Sequence, residues 1–241
     1  MSTLTTVSGR AEINTRDWRS LARCLDSTLL RPETTSAQVA GLCREAAHYS
    51  FATVFVHPSY VPLAASLLQG TPVRTGAPVG FPLGANTTSV KRYEAAELLR
   101  LGARELDMVM NIGALKSRER QRVELDLRAV VEVAHGAGAL LKVILETCLL
   151  TLDEKIVACE LSVAAGADFV KTSTGLAGGG ATAEDVTLMR GVVGERCGVK
   201  AAGGIRTLAD ALAMIDAGAN RLGTSTASQI VRELGAPESP R

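Results

Sequence analysis

The sequence predicts an α/β protein: a single-domain TIM (β/α)8 barrel with a short N-terminal helical extension. Three observations predict it. Short apolar strand-like runs alternate with amphipathic helix-like runs in eight units along 241 residues, about the length of a closed eight-stranded barrel. A repeat supports closure: GARELDMV (102–109), GADFVKTS (166–173) and GANRLGTS (218–225) each begin with the Gly-Ala that ends a helix, then reach an apolar residue and one variable position. No glycine fingerprint follows the first strand-like run, which weighs against a doubly wound open sheet.

The elements follow in order. Strands are expected at CLDSTLL (24–30), FATVFV (51–56), RTGAPVGFP (74–82), ELDMVMN (105–111), LLKVILET (140–147), DFVKTST (168–174), GVKAAGG (198–204) and RLGTST (221–226). Each is a short apolar or β-branched run bounded by turn residues. Helices are expected at 36–49, 89–102, 150–166, 183–193 and 207–218, among others, where apolar residues recur at three- and four-residue intervals. Residues 1–20 are read as an N-terminal extension, with Trp18 anchoring a helix over the bottom of the barrel. Residues 21–234 form the barrel and 235–241 a flexible C-terminal tail.

Composition excludes several functions. A net charge of +1 with no basic stripe, and only 3% aromatic residues for base stacking, argue against nucleic acid as a ligand. No run is long and apolar enough to span a membrane, and the N-terminus lacks a signal core. The five cysteines (Cys24, Cys43, Cys148, Cys159, Cys197) form no CxxC pair or Cys/His cluster. They read as reduced core thiols of a cytoplasmic protein with no metal site. His48 and His135, near the ends of helix-like runs, read as surface residues. The exposed helices of a closed barrel can also pair, so a homodimer is an arrangement the fold allows.

The lysines carry the chemistry. GADFVKTSTG (166–175) places Lys171 inside a strand expected to be buried, where an unpaired ammonium is costly. In the repeat, Asp107, Lys171 and Gly223 occupy the same position on strands 4, 6 and 8. Alternate strands fill one interior layer, so Asp107 and Lys171 should project inward at one level, with Gly223 leaving a gap and Leu106 and Val170 facing the helices. Lys200 and Lys142 lie one strand–helix unit after and before Lys171. Lys142 is read as equally open to a structural pairing with a carboxylate such as Glu146. Two ammonium groups about 5 Å apart repel by roughly 3 kcal/mol at an effective dielectric near 20, about two pKa units. Burial acts in the same direction. A neutral lysine amine can condense with a carbonyl to a Schiff base, and Asp107 at the same level can move protons. The glycine-rich turns AAGGIR (201–206), LGTSTAS (222–228) and STGLAGGG (173–180) would offer backbone N–H groups to a phosphate.

In this order, LDSTLLRP, FPLGANTTSVKRYEA, ELDMVMNIGALKS, LKVILET, ADFVKTSTG, GGATAEDV, VKAAGGIRT and RLGTS resemble the deoxyribose-phosphate aldolase family over roughly residues 22 to 232. The resemblance implies a class I aldolase on a TIM barrel, with no metal or organic cofactor. Its implied reaction is the reversible cleavage of 2-deoxyribose 5-phosphate to glyceraldehyde 3-phosphate and acetaldehyde. It implies Lys171 as the Schiff-base lysine, Lys200 as the lysine that perturbs it and Asp107 as the proton relay. Asp26 would pair with the second lysine. Gly175, Gly203, Gly204, Gly223 and Ser225 match the phosphate loops, with Thr172 and Thr174 flanking the site. The chain departs from the family pattern at Ser27, Arg31, Phe55, His57 and Ala227, and its tail GAPESPR has no tyrosine. Phe55 is expected to narrow the pocket or alter acceptor choice, and Ala227 to tighten the last phosphate loop. Cys148 follows a strand end and reads as an ordinary core thiol. Two rivals remain: a pyridoxal phosphate enzyme, for which no partner of the pyridine nitrogen is assignable, and a non-catalytic barrel that senses a sugar phosphate.

Overall fold

The structure is a computed structural model that describes residues 13–239. Most of the N-terminal extension therefore lies outside the described residues. The chain runs α1 (Trp18–Ala22), β1 (Leu25–Leu29), α2 (Ser36–Tyr49), β2 (Thr53–Val56), α3 (Val61–Leu67), β3 (Arg74–Val79), α4 (Thr88–Arg100) and β4 (Glu105–Val109). It continues α5 (Ile112–Lys116), α6 (Arg120–Gly136), β5 (Leu140–Ile144), α7 (Leu152–Ala164), β6 (Phe169–Lys171) and α8 (Ala183–Val193). It ends with β7 (Gly198–Ala202), α9 (Leu208–Asp216), β8 (Arg221–Thr224) and α10 (Ala227–Glu233). All neighbouring strands pair in parallel, and β1 pairs with β8 to close the barrel.

Helix starts are encoded locally. Thr35, Thr151 and Thr207 each cap a helix whose third residue, Gln38, Glu154 or Asp210, bonds back to the cap backbone. These reciprocal bonds satisfy orphan amide groups. The helices lay their apolar faces on the barrel, and the main core sits between sheet and helices. Leu106 and Val170 are buried there, as strand parity requires. The α4 and α6 helices are tied together by a buried ion pair, Lys91 to Asp126 at 2.6 Å, which also accepts from the Thr88 hydroxyl.

The α1 helix packs beside α10 and the end of α2. Trp18 meets Tyr49 edge-on at 6.1 Å, and the Tyr49 hydroxyl donates to Pro237 O at 2.8 Å. That bond ties the segment after α10 to the end of α2.

The sixth strand is shorter than expected. It ends at Lys171, and Thr172–Thr174 leave the ladder as an extended rim. The lysine therefore stands at the C-terminal edge of its strand and not in its middle. The physical reason is a change of partner: Thr172 N still donates to Lys200 O, but Thr174 N turns to the Glu146 carboxylate. Side chains, not a neighbouring strand, hold the end of the run.

Two in-register pairs shape the interior. Phe55 lies opposite Gly76, and Phe169 opposite Gly198. A methyl group on Gly76 would fall 2.5 Å from the Phe55 ring, and one on Gly198 would fall 2.2 Å from the Phe169 ring. Each ring fills the space that its neighbouring glycine leaves empty. Gly198→Ala is therefore expected to destabilise the fold by about 1–3 kcal/mol through overpacking, read as a lower urea midpoint. An unchanged midpoint would mean that the Phe169 ring has room to move.

Candidate active site

Seven ionisable side chains meet inside the barrel. Asp107 on β4 holds three lysines: Lys171 at 2.8 Å and Lys200 at 2.7 Å through one oxygen, and Lys142 at 3.1 Å through the other. Asp26 on β1 binds Lys200 at 2.6 Å and Arg221 at 2.7 Å. Glu105, two residues before Asp107 on the same inward face, binds Lys142 at 2.5 Å and Arg221 at 3.1 Å. The cluster thus sets four cations, Lys142, Lys171, Lys200 and Arg221, against three carboxylates. Such a set persists in a barrel because every charge has an opposite partner, and all but Lys171 have more than one.

Geometry changes the electrostatic account that spacing alone suggests. The two lysines of β6 and β7 share a carboxylate oxygen, so attraction to Asp107 offsets their mutual repulsion. The group held low is Lys200: burial brings its amine down to about 8, against the opposing pull of Asp107 and Asp26 and with help from Lys171 and Lys142. Lys142 is raised despite complete burial, because Asp107, Glu105 and Asp26 all favour its charged form. Its partners are these three carboxylates and not Glu146. Burial opposes ionisation of Asp107 and Asp26, yet the surrounding cations outweigh it, and both stay below the ordinary carboxylate value.

Above the cluster a cavity of about 260 Å³ opens at the C-terminal ends of the strands. Lys171 reaches it from the end of β6 and Thr174 from the segment that follows, and Gly175, Gly203, Gly204, Gly223 and Ser225 line it. Gly175, Gly203 and Gly204 have φ of +85°, +88° and +82°, conformations that glycine adopts without strain. A methyl group on Gly180 would sit 2.5 Å from Gly203 O, so the β6 and β7 loops pass in close contact. Together they form a small cup rimmed by backbone, suited to an anion. Thr28, Leu29, Leu30 and Arg31 form the opposite wall. Arg31 is exposed and bonded to Glu33.

Several expected residues fall elsewhere. Thr172 is buried outside the cavity lining; its hydroxyl donates to Ala202 O and accepts from Ala202 N, both at 3.0 Å. Asp26 also lies below the cavity, fully buried and bonded to Lys200 and Arg221. The gap at Gly223 is taken by Lys200, whose Cε would lie 3.1 Å from an added methyl. Phe55 does not narrow the cavity. It is 1% exposed and lies beneath the lysines, its ring centre 4.1 Å from Lys200 Nζ and 4.5 Å from Lys142 Nζ. Cys148 is exposed, unlike the other four cysteines. It sits on the short turn after β5, beside Gly179 of the facing loop. Of the two surface histidines, His135 is paired with Asp168 at 3.0 Å.

Three participants escaped the sequence reading. Glu105 and Arg221 lie two residues before Asp107 and Gly223, so the two-residue period of a strand was the signal that could have found them. Glu146 was noticed only as a lysine partner. It is buried at φ +56° and accepts from both the amide and the hydroxyl of Thr174. It thereby holds the rim next to Lys171.

The cluster sets the acid limit of the fold. A carboxyl whose folded pKa is depressed contributes stability above its ordinary value, near 3.8, and loses that contribution as pH falls toward the depressed value. The thermal midpoint is expected to hold from pH 7 to about 4 and then drop steeply. In Asp26→Asn the midpoint at pH 7 should already be lower, because Arg221 and Lys200 lose a shared partner, at a cost of about 3–5 kcal/mol. Its acid decline should be shallower. Equal acid slopes in the two proteins would assign the limit to other groups.

Comparison with known proteins agrees with this architecture. Residues 23–230 match the model of the DeoC/LacD family aldolases. A deoxyribose-phosphate aldolase of Halalkalibacterium halodurans is 58% identical over 214 residues, covering 88% of this chain and 95% of the relative. One of Streptococcus sanguinis is 54% identical over 212 residues, covering 88% and 96%. Among solved structures, the deoxyribose phosphate aldolase of Aeropyrum pernix, described as a unique tetramer, superimposes with a TM-score of 0.84 at 36% identity. The match covers 90% of this chain and 92% of that one. With the family match spanning nearly the whole barrel and relatives above half identity, this chain belongs to the DeoC/LacD aldolase family.

Proposed function

We propose that this protein is a cytoplasmic deoxyribose-phosphate aldolase. It cleaves 2-deoxy-D-ribose 5-phosphate reversibly to D-glyceraldehyde 3-phosphate and acetaldehyde through a Schiff base on Lys171. The observation that carries this reading is the placement of Lys171: of the lysines bound to Asp107, it is the one that lines the cavity. Lys200 and Lys142 are sealed below, 1% and 0% exposed.

The residues divide the work as follows. The phosphate rests in the cup of Gly175, Gly203, Gly204, Gly223 and Ser225, and its remote binding fixes the reacting carbons over Lys171. Lys171 adds to C1 of the open-chain aldehyde, and loss of water gives a protonated imine. A water takes the proton of the C3 hydroxyl as the C2–C3 bond breaks. The bonding pair moves to C2 and the imine nitrogen, leaving an enamine on Lys171 and releasing glyceraldehyde 3-phosphate. Protonation at C2 and hydrolysis of the imine then release acetaldehyde.

The proton path has a direction in this reading. Asp107, held by three ammonium groups below the ordinary carboxylate range, is too weak a base to store the proton. Lys200, brought down to about 8, changes charge near neutral pH. Asp107 then connects Lys200 to Lys171 and orients both, while Lys200 takes and returns the proton. Self-association is part of the proposal, in keeping with the tetrameric Aeropyrum relative.

Borohydride reduction in the presence of 2-deoxyribose 5-phosphate is expected to leave a two-carbon adduct on the peptide carrying Lys171. An adduct on Lys200 would reverse the two lysine roles. Ligand binding without any adduct would favour a sugar-phosphate sensor. Lys200→Leu is expected to lower kcat by orders of magnitude and shift the pH optimum upward, since removing one positive charge favours protonation of the amines that remain. An unchanged pH profile would remove Lys200 from the proton path.

A further inference from the structure

Phe55 is unusual in its position. Its ring lies inside the barrel with no part in the cavity lining, yet its centre is 4.1 Å from Lys200 Nζ, 4.5 Å from Lys142 Nζ and 5.9 Å from Lys171 Nζ. The Phe55 ring thus lies within 6 Å of every lysine of the cluster. The face carries the negative lobe of the ring quadrupole, and an ammonium within about 6 Å of it is attracted. Lys200 has three N–H donors, and two of them face Asp26 and Asp107. The ring is a further neighbour of that ammonium, its centre 4.1 Å away. Its fit is built into the next strand, because Gly76 leaves the space the ring occupies.

We propose that Phe55 is a positioning residue for the aldol chemistry: its ring face stands where water would otherwise solvate the lysine cluster, and it holds Lys200 and Lys142 against their shared carboxylates. This rests on the aldolase reading above. A bare apolar side chain would exclude water but give the ammonium groups no partner. A polar one would bind water or compete for Asp107. An aromatic face does neither.

The groups facing Lys200 are Asp26 from β1, Asp107 from β4, Lys142 from β5 and Lys171 from β6, with Glu105 and Arg221 one contact further away. None of these is removed when Phe55 is replaced, so a change in titration reports the ring. A smaller aliphatic chain opens a space lined by N–H donors, and such a space takes up water. Loss of the ring's attraction for the ammonium would by itself lower Lys200, but burial is the largest cause that lowers it, so entry of water is the larger effect and raises it.

The test compares Phe55→Leu with the parent protein. The ionisation governing kcat/KM near pH 8 is expected to move up by about one unit, with kcat at pH 7 falling roughly tenfold and KM for the phosphorylated sugar little changed. Phe55→Met, closer in volume, should shift in the same direction. A pH profile that superimposes on the parent's, even with lower activity or stability, would reduce Phe55 to packing and overturn the proposal; so would failure of both variants to fold. Borohydride trapping on the same variants keeps the two readings apart. An adduct at Lys171 with an unmoved profile rejects the role of Phe55 alone, whereas no adduct in the parent protein rejects the aldolase reading itself.

Discussion

The Asp107 carboxylate is the interaction on which the interior depends. One side chain on β4 receives lysines from β5, β6 and β7, and without it three ammonium groups would crowd a space with little water. A hydrophobic barrel would be easier to stabilise, since burying ions costs more than packing aliphatic chains of the same volume. In the proposed aldolase reading, the charged interior is what makes the cavity lysine reactive. It keeps one amine at the cavity wall while two others sit sealed below.

The remaining contacts extend from that centre. Arg221 joins Asp26 to Glu105 and so ties β8 to β1 and β4. Phe55 and Phe169 fill the interior around the ions, each against a glycine of the next strand. On the mouth side, Glu146 holds Thr174 and so fixes the rim where the strand ladder has ended. Its left-handed backbone is a strained choice for a non-glycine residue, and its two bonds to Thr174 hold it there. The barrel thus has an ionic middle, an aromatic floor and a glycine-lined mouth, and Lys171 spans the step from the first to the last.

The same arrangement separates roles that look alike on paper. Lys142, Lys171 and Lys200 fall at equal intervals on successive strands. Their environments differ because the barrel staggers its strands. Lys142 meets three carboxylates and is raised, Lys200 meets two and is lowered by burial, and Lys171 reaches the cavity. Charge balance around each amine, not residue type, sets the three lysines apart.

The sequence by itself determined the order of elements, the parity of the strands and the inward direction of Asp107, Lys171 and Lys200. These depend on local periods and on turn residues, which a linear chain displays. Helices 36–49 and 183–193 have the bounds read from their apolar spacing, for the same reason. Only the tertiary structure decided who pairs with whom. That Lys142 turns to Glu105 and not Glu146, that Thr172 is spent on Ala202, that Phe55 lies under the lysines and not beside the cavity, and that β6 stops at Lys171 all depend on contacts between residues far apart in the chain. Register and barrel stagger set those contacts, and no local pattern records them.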